Sequence, residues 1–412
     1  MSSTESIENE GVKVFPFEER QASIKWEKVA GLMEDYFHEP DLEGVRVMVA
    51  AAAAHHIYPQ AAPVWLMLIG APGSGKSSQV GPIIEQVQDV FVLSNLTEKT
   101  LLSGWRAGEK AGESGLLKRL GESIILWVSD FSSISSMGSD ARAQVGSQFR
   151  EIYDGAISKN WGIGKTEEWK GKCTMLVGAT RAAEKAWSLM RDLGERFLYV
   201  RWRVGDMEKL ALQASIQDDR QEMREQLGEY VRDWLDGSLV PTTERLSRAE
   251  VEATGLHLIA SLVSRMRVTV ERDRQGQITD TSDAEGPGRI MTACWLTAKA
   301  HAKLMRRTTL SAEDLKIAQR IAIDSIPPRR WHLTQALRTV IFDKKMEAVP
   351  TADLLTQIRK QGNAGISLST IERTANELAA ADIFIKEESS GLIWWKLNEF
   401  GESRIQLLED LV

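Results

Sequence analysis

The sequence predicts an α/β fold: a parallel sheet flanked by helices, followed by an all-helical region and a small C-terminal unit. Two observations predict it. Between residues 64 and 204, five short apolar runs (64–69, 90–93, 123–129, 173–179 and 197–204) alternate with helical or loop stretches. Their hydrophobicity is continuous rather than alternating, as expected of strands buried on both faces beneath helices. From 206 to 322 the apolar residues recur instead at helical spacing.

Each element follows from its own signal. Residues 1–18 read as a loose tail. Two helices are expected over 20–37 and 41–57, the first with Ile24, Val29, Leu32, Met33 and Tyr36 three or four residues apart; 59–63, rich in proline, ends them. After the strand-bearing region come helices at 206–235 and 248–268, a polar loop at 272–286, and helices at 290–305 and 311–323. Ser311-Ala312-Glu313-Asp314 is a helix-start signal, and Ser325-Ile326-Pro327-Pro328 is a break. The divisions are thus 1–18, 19–205, 206–325 and 326–412.

Composition excludes several classes. Of 412 residues, 43% are hydrophobic and 26% charged, which excludes disorder as the main state. The two cysteines, Cys173 and Cys294, are far apart and outside any metal-ligand spacing, so no disulfide scaffold or cysteine metal site is expected. A net charge of −7 argues against a nucleic-acid coat protein and leaves a local basic surface open. The acidic start, Met1 to Glu10, is unlike a secretory leader. The most apolar run, 45–54, contains Arg46 and falls well short of the ~20 residues that span a bilayer. The expectation is a cytoplasmic protein with no membrane partner.

One motif carries strong chemical information. Gly70-Ala71-Pro72-Gly73-Ser74-Gly75-Lys76-Ser77 fits G-x-x-x-x-G-K-[ST] in full, after a buried strand and before a helix that includes Ser78. Glycines let backbone N–H groups curl around phosphates, and the helix start adds a favourable field. Lys76 would reach the terminal phosphates of ATP, and the Ser77 hydroxyl would ligate Mg2+. The rival reading, a glycine-rich turn that binds nothing, does not account for strand, lysine and serine together. Asp130 closes the run 123–129, where a carboxylate would hold the same Mg2+. Phe131 follows it, where a water-polarising glutamate is usual. Glu98 and Glu151 are the substitutes, each open to being a plain surface charge, which leaves slow or partner-dependent hydrolysis open.

At this point the residues resemble an AAA+ ATPase over roughly 40–325. The resemblance implies that Thr180, after the fourth strand, is a sensor residue. It also implies that Arg196, in Leu193-Gly194-Glu195-Arg196-Phe197 before the fifth strand, is an arginine finger entering a neighbouring subunit's site, with Arg191 in reserve. Arg289, in Gly286-Pro287-Gly288-Arg289, is similar to the second sensor arginine of the family's helical lid, which contacts the γ-phosphate. The same resemblance implies a homo-oligomer arranged as a ring. The stretches around Arg150–Gly155 and 169–172 are similar to ATPases of phages, plasmids and genomic islands.

Residues 155–169 read as a β-hairpin with a glycine-containing tip. In the AAA+ branch that includes the MCM helicases, such a hairpin lines the central pore. Lys159 and Lys165 could then touch phosphates while Trp161 or Trp169 stacks on bases; packing against the next subunit is the alternative. From 289 to 345 twelve basic residues face four acidic ones, which suits a DNA backbone or an acidic neighbour. The final unit resembles a winged helix, with helices at 331–342, 351–360 and 367–381 and a wing from 383 to 397. Its third helix would expose Ser369, Thr370, Glu372, Arg373, Asn376 and Glu377. Arg373 alone could read a base, and docking on a protein is equally open.

The expected function is an oligomeric ATPase that translocates on, unwinds or remodels DNA for a mobile element. A nucleotide-controlled switch, such as a helicase loader or transcriptional regulator with its own replication or regulatory partner, is one rival. A remodeller of protein partners is the other.

Overall fold

The computed structural model describes residues 25–94, 101, 116–135, 137–161, 165–182, 196–216, 220–244, 248–363 and 365–410. The expected tail at 1–18 lies outside them.

Five strands form an all-parallel sheet: β1 (Trp65–Ile69), β2 (Val90–Leu93), β3 (Ser123–Val128), β6 (Lys172–Ala179) and β7 (Leu198–Arg201), in the order β2-β3-β6-β1-β7. Alternate side chains divide between two cores, as the period of a strand requires. Leu66, Leu68, Ile125, Trp127, Leu176 and Val200 belong to one. Trp65, Met67, Leu126, Val128, Met175 and Tyr199 belong to the other. The first core runs on into the helices beyond 206 and into the C-terminal unit, so these parts share one buried interior.

Helices α1 (Trp26–Tyr36) and α2 (Leu42–Ile57) cover that face. Asp41 caps α2, its Oδ1 accepting from Gly44 N at 2.9 Å. The alanine run 50–54 is fully inside, where small side chains let neighbouring helices approach. Helices α3 (Lys76–Ile84), α4 (Leu116–Leu120), α5 (Ser132–Ser135) and α6 (Ser139–Tyr153) complete the sheet domain. Between α6 and β6 stands the expected hairpin, β4 (Ala156–Trp161) paired antiparallel with β5 (Lys165–Lys170).

The following region holds α7 (Met207–Ile216), α8 (Arg220–Leu235), α9 (Arg248–Thr254), α10 (Leu256–Met266), α11 (Pro287–Leu304) and α12 (Ala312–Ser325). The start signal at Ser311 is realised as a capping box with Asp314. Two expectations are corrected. The helix expected over 248–268 breaks at Gly255, at φ 65°, a conformation open to glycine. The polar loop at 272–286 contains part of a second hairpin, β8 (Val270–Arg272) with β9 (Ile278–Thr281), closed by Asp273, whose carboxylate accepts from Gln275 N and Gln277 N.

Strand β7 is an edge of the sheet, and α12 covers it. Tyr199 N donates to Ser325 Oγ at 2.9 Å and Arg201 N to Asp324 Oδ2 at 2.7 Å, while Arg320 Nη2 donates to Arg201 O at 2.7 Å. These bonds satisfy backbone groups that an open edge would leave free.

The C-terminal unit packs α13 (Pro328–Lys344), α14 (Thr351–Lys360) and α15 (Leu368–Ala380) on a three-stranded sheet ordered β10 (Val349–Pro350), β12 (Leu392–Leu397), β11 (Phe384–Ser389). A final helix, α16 (Glu399–Asp410), was not expected and packs on α10.

Candidate nucleotide-binding site

The glycine-rich loop connects the C-terminal end of β1 to α3. Gly73 and Gly75 lie at φ 71° and 79°, which turns successive N–H groups inward at the helix start. Ser74 is buried, and its hydroxyl has no hydrogen-bond partner among the described residues. Gly70 N donates to Ala179 O at 3.1 Å, so the loop begins beside the end of β6, next to Thr180.

Lys76 folds back over the loop, Nζ donating to Ala71 O at 3.3 Å. Burial pushes its ammonium below the usual value, and the nearby Asp130 carboxylate pulls it back up. Among the described residues its ammonium has one hydrogen-bond acceptor, which leaves donors open toward the loop. Ser77 Oγ lies 3.4 Å from Ser129 O, which places it at the end of β3 beside Asp130. Pro72 and Ser78 flank this arrangement, and Ser78 Oγ donates to Gly75 O at 2.8 Å.

Asp130 accepts from Ser132 N at 2.8 Å and from Ser132 Oγ at 2.9 Å, so the carboxylate is fixed by the start of α5. Among the described residues no group of three His, Cys, Asp or Glu could hold a metal ion by itself. A hydroxyl and a carboxylate facing a phosphate loop nevertheless fit Mg2+, which takes few protein ligands and completes its shell with water and phosphate oxygens.

Phe131 explains the missing glutamate. Its side chain is 1% exposed and packs with Phe149 and Phe197, and its N donates to Gly178 O at 2.8 Å. The position after Asp130 thus turns into the core, away from the loop. Glu98 lies outside the described residues. Glu151 belongs to the last turn of α6, whose Tyr153 packs on Trp65 at the start of β1. That is the far end of a five-residue strand from the loop, about 13 Å at the usual rise, so Glu151 does not serve its own chain's loop.

The arginines gather at that far end. Arg196 donates through Nη2 to both carboxylate oxygens of Asp154, at 3.2 and 3.3 Å, and its guanidinium lies 5.2 Å from the Tyr153 ring centre. Arg191 lies outside the described residues. Arg289 corrects its expectation: it is 6.0 Å from the same Tyr153 ring and pairs with Glu285 at 3.1 Å, so it joins Arg196 rather than the loop of its own chain.

Sequence reasoning missed Trp202. It is buried, its N donates to Ile69 O at 2.7 Å, and its indole N–H donates to Ser74 O at 3.0 Å, bracing the loop from β7. A tryptophan between Arg201 and Arg203 at a strand end was the available signal. Also missed was a cleft of about 670 Å³ lined by Phe37, His38, Pro40, Lys209 and Leu212 among others. Glu39 at its rim touches Gly205, three residues beyond Trp202.

The expected nucleic-acid residues fare unevenly. Lys159, Trp161 and Lys165 lie on the hairpin strands, Trp161 opposite Lys165, with side chains outside what is described. Trp169 is buried and donates to Gly121 O at 2.7 Å, so it anchors the hairpin and does not stack on a base. Part of the basic stretch from 289 to 345 is paired within the chain, while Lys316, Arg329 and Lys345 stay exposed. Lys299 is buried between Glu244 and Glu250, Arg307 pairs with Asp314, Arg320 with Asp41 and Asp324, and Arg330 with Glu377. Arg373 is exposed, yet its carbonyl accepts from Arg272, which also holds Glu377. The hairpin β8–β9 therefore sits against the face of α15 that a reading helix would present.

No protein-family model matches the chain, and no curated protein matches it. Among the described residues no helix is long and apolar enough to cross a membrane.

Proposed function

We propose that the chain is an ATP-binding ATPase of AAA+ type that works as a homo-oligomer and acts on DNA. The observation that carries this reading is the glycine loop after β1, with Lys76 folded over it and Ser77 Oγ against Ser129 O, one residue before Asp130. In this reading the loop N–H groups and Lys76 bind the terminal phosphates, and the cleft beside Gly205 receives the nucleoside. Ser77 and Asp130 would hold Mg2+, which would supply neutralisation of phosphate charge. Arg196 faces away from its own loop and so acts on the nucleotide of a neighbouring copy. The helices beyond 206 correspond to a lid and the last unit to a winged helix, used for docking or non-specific contact because α15 is partly covered. DNA contact falls to the hairpin β4–β5.

A second reading, a nucleotide-controlled switch with slow turnover, is favoured by Phe131 in the core and by the internal pairing of part of the basic stretch. Steady-state ATP turnover with Mg2+, alone, with single-stranded and with duplex DNA at two salt concentrations, separates the two. Salt-sensitive stimulation by DNA supports the translocase. Tight ATP binding with negligible turnover in every condition assigns the switch. Stimulation by a protein and not by DNA assigns a protein remodeller.

A further inference from the structure

Tyr153 ends α6 and Asp154 caps it at the N-terminal end of the strands, opposite the phosphate loop. The Tyr153 ring is fixed from below by Trp65, edge-on at 5.3 Å and 81°. Above it lies the Arg196 guanidinium, within the range where a cation is attracted to a ring face. The backbone beside Arg196 is held independently: Arg267, buried, donates to Phe197 O at 3.2 Å and pairs with Glu285, which also pairs with Arg289. Asp154 is 62% exposed in its side chain, against 20% for Arg196. An ion pair exposed on one side is weak, so a polyphosphate, with more charge and more acceptor oxygens, displaces Asp154 readily.

We infer that Tyr153 is the positioning residue for Arg196, and that Asp154 is an internal anion that holds the guanidinium until the terminal phosphate of a neighbouring copy's nucleotide replaces it. This rests on the proposed trans role of Arg196. Tyr153 touches no substrate; it sets the direction in which Arg196 leaves the surface. Asp154 prevents the unassembled chain from exposing an unpaired cation there.

The test is steady-state ATP turnover of the full chain carrying Arg196→Ala, Tyr153→Phe, Tyr153→Leu or Asp154→Asn. Tyr153→Phe, which keeps the ring, should hold kcat within about twofold, whereas Tyr153→Leu should lower it about five- to tenfold at unchanged KM. Mixing Tyr153→Leu with Lys76→Ala protein should restore turnover, because the second chain supplies an intact arginine edge. Asp154→Asn should raise kcat about two- to fivefold. Equal losses in the Phe and Leu variants, a rise in KM matching the fall in kcat, or no rescue on mixing would overturn the inference. Should Tyr153→Leu not fold, Asp154→Asn decides: a gain supports the inference, and an unchanged or lower kcat ends it. Full turnover in Arg196→Ala would instead remove the trans reading itself, whatever the Tyr153 variants do.

Discussion

The two ends of the parallel sheet share five strands and differ in self-sufficiency. At the C-terminal end one chain supplies the loop, Lys76, Ser77, Asp130 and the Trp202 brace, and Arg320 holds Asp41 and Asp324 behind them. At the N-terminal end, Arg196 and Arg289 share Tyr153, with carboxylates as their anions. The first end gathers a glycine loop, a lysine, a hydroxyl and a carboxylate. The second presents arginines with no phosphate loop of their own chain in reach. In the proposed reading, binding would be a property of one chain, while a role for the arginines in turnover would require a second.

The sharpest way to break this comparison is Arg196→Ala. Turnover should fall about a thousandfold, the size of an arginine-finger effect, while nucleotide affinity measured by titration stays within about twofold. A parallel loss of affinity would place Arg196 in its own chain's site. Next in size is Arg320→Met, which leaves Asp41 and Asp324 buried without their cation. Thermal unfolding should report a loss of about 3 kcal/mol; an unchanged Tm would show that the brace at the loop end is dispensable. Lys76→Ala should weaken ATP binding by about 2–3 kcal/mol, the worth of a charged hydrogen-bonding group, and calorimetric titration reads it directly. Wild-type affinity would end the account of the loop.

A smaller effect sharpens the picture of the arginine end. His55 lies there between Ser123 Oγ (2.8 Å) and Thr174 Oγ1 (3.0 Å). Burial, with Lys172 and His56 nearby, pushes its pKa down to about 3 from 6.5. The unfolded chain takes up the proton first, so stability is present above pH 6.5 and is lost as pH falls toward 3. Between about pH 6.5 and pH 5 the loss should be about 2 kcal/mol by denaturant titration. His55→Gln should remove that part of the slope; an unaltered slope would mean the ring is not buried neutral. Smallest of all, Arg373→Ala should change DNA affinity less than about twofold in a salt-matched binding assay, since β8–β9 sits against α15. A large, sequence-dependent loss would restore α15 as a reading helix.

The phosphate loop was legible because its information is local: two glycines at positive φ, a lysine and a serine within eight consecutive residues. The strands were legible because burial on both faces leaves an unbroken apolar run. Part of the basic stretch misled for the opposite reason. Lys299 finds Glu244 across 55 residues and Arg320 finds Asp41 across 279, and composition cannot distinguish a charge paired at such separation from one facing water. The same distance in sequence hid Trp202, whose partner Ser74 is 128 residues away.

The sequence by itself determined the parallel α/β core, the loop after β1 and the carboxylate after β3, since each depends on neighbours along the chain and on the period of buried side chains. Only the tertiary structure decided that Arg289 stands beside Arg196, that Phe131 points into the core, and that Lys299, Arg307, Arg320 and Arg330 are spent on internal carboxylates. Those outcomes depend on which end of a strand a distant helix reaches, and packing of the whole interior sets that.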